Sequence, residues 1–73
     1  MYRDVLRKKW KHFRNEINTH WTELSSDDLD QIDGRPDHLV VLLESRYGYA
    51  RGRAEREVER VVTDFELKLR RAS

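Results

Sequence analysis

His12, Glu16 and His20 recur every four residues, a spacing that puts side chains on one face of a helix and is the first place to look for a metal site. Imidazole and carboxylate both bind zinc. Yet His12 and His20 stand two turns apart, about 12 Å by the helical rise, so one ion cannot take both. The three read as a solvated helix face, with His38 a first-turn surface residue further on. Asp27-Asp28-Leu29-Asp30-Gln31-Ile32-Asp33-Gly34 raises calcium chemistry. Counted from Asp28, a calcium loop would put Ile32 at a ligand position, Asp33 where glycine is needed and Leu39 where the bidentate glutamate belongs. The stretch reads instead as the start of a helix, its carboxylates at the positive end of the helix dipole. Nucleophilic catalysis is no better served. The chain has no cysteine, and Ser25, Ser26, Ser45 and Ser73 sit in no hydrolase turn motif. Three separated glycines make no phosphate-cradling loop. The residues therefore point to no enzyme, and to no catalytic, cofactor-binding or metal-ligating set.

Charge is distributed more suggestively. Residues 1–20 carry six basic and two acidic groups, residues 21–45 one basic and seven acidic, and residues 46–73 eight basic and five acidic. Docking of the acidic middle between two basic outer segments is one consequence, stabilising the topology weakly because exposed pairs contribute only ~0–1 kcal/mol each. A phosphate-contact stripe is the other. Arg3, Arg7, Lys8, Lys11 and Arg14 would form it on the first helix, and Arg51, Arg53, Arg56 and Arg60 on the last. Against that nucleic-acid reading stand the net charge of +1, the interleaved Glu55, Glu57 and Glu59, and the lack of a turn presenting a recognition helix. Trp10, Trp21, Tyr47 and Tyr49 could stack on bases, but both tryptophans belong to an apolar helix stripe and read as packing.

The elements that must position these groups are all helical. Leu6, Trp10, Phe13, Ile17, Trp21 and Leu24 are spaced by three or four residues and share an arc of about 80° on a helical wheel. They predict a helix over about 4–20, with Asp4 at its start. Ser25-Ser26-Asp27-Asp28 predicts a second, short helix over about 26–33, carrying Leu29 and Ile32 inward and stopped by Gly34. Pro36 opens a third over 36–47, facing inward with Leu39, Val40, Leu43 and Tyr47 and ended by Gly48. A fourth runs over about 51–70, with Ala54, Val58, Val61, Val62, Phe65 and Leu69 on one side. The expected fold is all-α, a small bundle of three longer helices plus one short helix with roughly antiparallel neighbours, in one domain covering residues 1–73. Val41, Leu42 and Leu67 fall off these inward faces and form a candidate self-association patch, through which a weak homodimer would assemble.

Composition bounds the reading. Charged residues are 40% of the chain, and Leu, Ile, Val and Phe together 18 of 73, just above the roughly one-fifth level below which disorder prevails. Without disulfides, helix packing must supply the stability. No apolar run approaches the ~20 residues of a membrane span, and no apolar stretch follows a basic N-terminus as in a signal peptide, so a cytoplasmic location and no membrane partner are expected.

Trp10-Lys11, Trp21, the acidic turn from Leu24 to Leu29, Ile32-Asp33-Gly34-Arg35, Asp37, Leu39-Val40, Arg46-Tyr47-Gly48-Tyr49, Ala54-Glu55 and Val58 occur in an order that resembles the CsbD-like family of small bacterial proteins. The similarity spans roughly residues 3–66. It implies a helical bundle associated with general stress responses, acting through surface contacts with a protein partner it does not identify, with no cofactor and no catalytic residues to carry over. The chain departs from the family where glycines are common, at Asn15, Thr22 and Val41, where a polar residue is usual at Leu42, and at Ala50 in place of a polar cap. Fewer glycines raise helix propensity and remove points of close approach between helices.

Overall fold

A computed structural model of the protein describes residues 2–72, with side chains placed over 4–71, as five helices: α1 (Tyr2–Lys8), α2 (Trp10–His20), α3 (Ser26–Ile32), α4 (Pro36–Tyr47) and α5 (Arg51–Ala72). Local chemistry writes most of the boundaries. Ser25 caps α3 through a reciprocal pair of bonds: its hydroxyl accepts from the Asp28 N–H, and the Asp28 carboxylate accepts from the Ser25 N–H, both at 3.1 Å. Pro36 occupies the first turn of α4, where its missing N–H costs no bond. Gly48, at φ 69°, ends α4 while its N–H returns to the Glu44 carbonyl and the next N–H, of Tyr49, to the Leu43 carbonyl. Tyr49 then packs beside Tyr47, ring centroids 5.6 Å apart.

α5 is the spine. It packs against α4, α1 and α2, while α3 lies against α4. The shared core holds Leu6, Phe13, Ile17, Trp21 and Leu24 from the first third, Leu29 and Ile32 from α3, Leu39, Val40 and Leu43 from α4, and Ala54, Val58, Val61 and Val62 from α5. Phe13 meets the edge of Phe65 at 5.0 Å between centroids, tying α2 to α5. Burying an aliphatic or aromatic side chain of this kind stabilises by roughly 1.5–3 kcal/mol. Two polar clasps close the α2–α3 connection over this core: the Asn18 amide donates to the Leu24 carbonyl at 3.0 Å, and the Glu23 N–H donates to the Tyr47 hydroxyl at 3.1 Å. The radius of gyration, 11.4 Å, matches the ~11 Å expected of a folded chain of this length.

Three expectations are corrected. The single helix over 4–20 is two, broken at Lys9 (φ −113°, ψ 32°), which leaves Asp4 inside the first turn of α1 and not at a cap. A tertiary contact sits at the break. Gly34 is buried, and a β-carbon there would lie 3.1 Å from the Arg7 α-carbon and 3.5 Å from the Trp10 β-carbon, so the turn after α3 presses its bare backbone against the bend. The chain bends without abandoning its hydrogen bonds: the Lys9 N–H still donates to Val5, and the Lys9 carbonyl accepts from His12 and Phe13. Second, the left-handed residue that closes α3 is Asp33 (φ 46°, ψ 42°), one residue before the expected Gly34, which is itself at φ 77°. Third, Leu42 is half-buried and packs against the core, so it is not a freely exposed apolar residue.

Candidate functional site

Charge is arranged in two contrasting ways. The first is the corner between α3 and α4. Asp28 is the one buried charged residue among those described, 3% exposed, because its position as the third residue of α3 turns its carboxylate back under the Ser25 cap. One oxygen accepts from Ser25; the other accepts from Arg46 Nη2 at 2.9 Å. Arg46 and the Ser25 N–H hold the Asp28 carboxyl below its ordinary value, and they prevail over the burial that pushes the other way. Arg46 is raised in turn by Asp28. Each of the two carboxylate oxygens has a donor, and among the described residues no buried side-chain nitrogen or oxygen lacks a partner. This is structural chemistry.

The second arrangement is the break between α1 and α2. Arg7 and Lys8 end α1, Lys9 forms the bend and Lys11 lies in the first turn of α2. With Trp10, His12 and Leu69 of α5 they line an open bay of about 530 Å³. Trp10 is half-buried, so one part of the indole faces the core and another the bay. Arg7 also borders a second groove that holds Asp4, Asp37 and His38.

The remaining candidates are dispersed. Of the phosphate-contact stripe, Arg14 is bound to Asp30 at 2.7 Å and Arg51 to Glu55 at 3.6 Å, and the Arg53 guanidinium lies 4.1 Å over the Tyr49 ring. Arg56 and Arg60 are exposed on α5; the Arg3 side chain lies outside the described residues. The structure thus brings together Arg7, Lys8 and Lys11, adds Lys9, and leaves the rest apart. Of the helix-face trio, His12 borders the bay, Glu16 is 4.0 Å from Lys68 and His20 meets the Trp21 ring edge at 4.7 Å. No cluster able to hold a metal ion occurs among the described residues. Val41, 55% exposed, and Leu42 share a shallow groove with Gln31 and His38, whose Nδ1–H donates to the Gln31 carbonyl; Leu67, 48% exposed, sits on α5 and is not part of that groove. No described helix is long and apolar enough to cross a membrane.

These features define a small protein that is helical with no strand among its described residues, with an apolar core and, among those residues, one buried charged side chain, a carboxylate with a donor at each oxygen. UPF0337 protein PA4738 of Pseudomonas aeruginosa is 43% identical to it over 58 residues, which are 80% of this chain and 89% of that one. UPF0337 protein YjbJ of Escherichia coli K12 is 38% identical over 58 residues, 80% of this chain and 84% of the relative. UPF0337 protein ECA0631 of Pectobacterium atrosepticum is 39% identical over 59 residues, 81% and 86% respectively. The chain belongs to the CsbD-like family that these UPF0337 proteins represent. No family model matches the chain, and no solved structure does.

Proposed function

We propose that the protein is a non-enzymatic accessory factor of the bacterial general stress response, located in the cytoplasm, where a bundle of roughly antiparallel helices offers its surface to a partner. The observation that carries this reading is the use of the buried carboxylate: Asp28 is committed to Ser25 and Arg46, so the one charged side chain buried among the described residues serves the fold. Specificity then has to come from surface groups. Membership of a family with bacterial relatives supports the setting. The test is a deletion strain challenged by osmotic shock, ethanol and stationary phase. Reduced survival that the wild-type gene restores is the expected result; equal survival of deletion and parent under all three would remove the reading.

A nucleic-acid-binding module is the second reading, favoured by the gathering of Arg7, Lys8 and Lys11 at one place with Arg56 and Arg60 exposed on α5. Titration of labelled duplex and single strands at low and moderate salt decides it, because phosphate contacts give affinity that falls steeply with salt. No binding at low salt would end it. Weak self-association through Val41, Leu42 and Leu67 is a surface contact of another kind, and the exposure of Val41 and Leu67 supports it. It predicts a sedimentation coefficient that rises with concentration in the wild type and stays constant in Val41→Lys/Leu67→Lys.

A further inference from the structure

The bay at the α1–α2 break gathers four cations, with Asp4 and Asp37 in the neighbouring groove that Arg7 borders. Arg7, Lys8, Lys9 and Lys11 fall within five residues, and no described carboxylate stands within ion-pair distance of any of them, whereas Arg14, Arg46, Arg51, Lys68 and Arg70 each have one. Helix α2 begins here with no acidic residue in its first turn and no side-chain cap, while α1 ends here, so the two helix dipoles oppose each other and the positive potential of the bay comes from its side chains. Like charges held together raise the free energy of the empty bay, and a multivalent anion lowers it.

Shape narrows the class of anion. The bay is open to solvent, and its volume of about 530 Å³ falls within the ~300–1,000 Å³ range of small-molecule sites. An extended strand would need a continuous track, and Arg14, on the helix that continues from the bay, is paired with Asp30. We propose that the bay binds a compact polyphosphate, two or three linked phosphate groups, with the lysine ammonium groups and Arg7 on the oxyanions and the Trp10–Leu69 wall closing one side. Ammonium and guanidinium both suit phosphate oxygens, the guanidinium in two-pronged fashion. The inference stands apart from the stress-response reading, since purified protein tests it and no survival phenotype enters.

Inorganic tripolyphosphate is the probe, titrated into the full chain by calorimetry and by intrinsic fluorescence. Saturable one-to-one binding is expected, with a fluorescence change that Trp10→Phe abolishes while calorimetric binding persists, since Trp21 is buried. Lys8→Gln/Lys9→Gln/Lys11→Gln should weaken binding about tenfold or more, because close charge–charge contacts are removed. Arg53→Gln/Arg56→Gln/Arg60→Gln, which removes the same charge elsewhere, should change it less than about twofold. Backbone amide shifts mapped by NMR on the unmodified protein give a readout that needs no variant, and should centre on residues 7–12. Absent binding, equal weakening by both triple variants, or shifts spread over α5 would overturn the proposal. So would tighter binding of a thymidine oligonucleotide that depends on the α5 arginines, which would favour the extended strand instead.

Discussion

The Asp28 corner and the α1–α2 bay put ionic groups to opposite uses. At the corner a carboxylate is taken out of water, given a backbone amide and a guanidinium, and made part of the joint between α3 and α4. At the bay four cations remain at the surface with no described carboxylate at ion-pair distance. A buried charge persists only when its hydrogen bonds are met; an exposed like-charge cluster persists because water screens it. The first therefore contributes to folding, and the second leaves charge available to something outside the fold. Gly34 connects the two, since it follows the helix that bears Asp28 and presses its backbone on the bend that makes the bay.

The sharpest way to break this comparison is at that contact. Gly34→Ala combines a strained positive φ with a β-carbon 3.1 Å from Arg7 backbone and should cost roughly 2–3 kcal/mol, read as a fall in melting temperature of about 10 °C or more. An unchanged melting temperature would show that the break does not depend on the turn after α3. Next in size is Asp28→Ala, which removes half the capping box and the Arg46 bond and should cost about 2 kcal/mol in urea unfolding. The corner also has a pH signature. Because the Asp28 carboxyl is lowered below 3.8 on folding, its stabilisation is whole above that ordinary value and drains away as pH falls below it toward the folded value. The difference between wild-type and Asp28→Asn stability should accordingly shrink in acid and hold steady from pH 5 upward.

Much of this was legible in the residues. Pro36 and Gly48 bracket α4 at its observed limits, and the periodic apolar positions are buried, with Trp10, Tyr47, Phe65 and Leu69 only half so. What escaped has one physical source: contacts between segments distant in sequence. The apolar stripe from Leu6 to Leu24 runs in phase across Lys9, with no proline or glycine to mark a bend, and the backbone packed against that bend comes from Gly34, 25 positions away. Lys9 accordingly carried no signal as a bay residue beyond its place in a basic run. Ser25 and Asp28 announce a helix start, yet an exposed cap and a cap buried under Arg46 have the same local sequence. Of the expected docking of the acidic middle between basic outer helices, Arg14–Asp30 supplies one ion pair to α2, whereas Arg46, the partner of Asp28, lies on α4 beside α3 and not on the last helix.

Smaller effects refine the contrast. Lys8→Gln/Lys9→Gln/Lys11→Gln should raise stability by about 0.5 kcal/mol at low salt, as like-charge repulsion within the bend is relieved. Arg14→Gln, which breaks an ion pair whose Asp30 partner is 66% exposed, should lower it by less than about 0.5 kcal/mol. A loss above about 1 kcal/mol would place that pair with the buried corner instead of the solvated surface.

The division between the two regions is tested most directly by urea unfolding of wild type, Asp28→Asn and the triple lysine variant at low and high salt. Screening reaches exposed charges and spares buried ones. The stability gap between wild type and the triple variant should close as salt is added, while the gap to Asp28→Asn persists. A persistent lysine gap with a vanishing Asp28 gap would contradict the account.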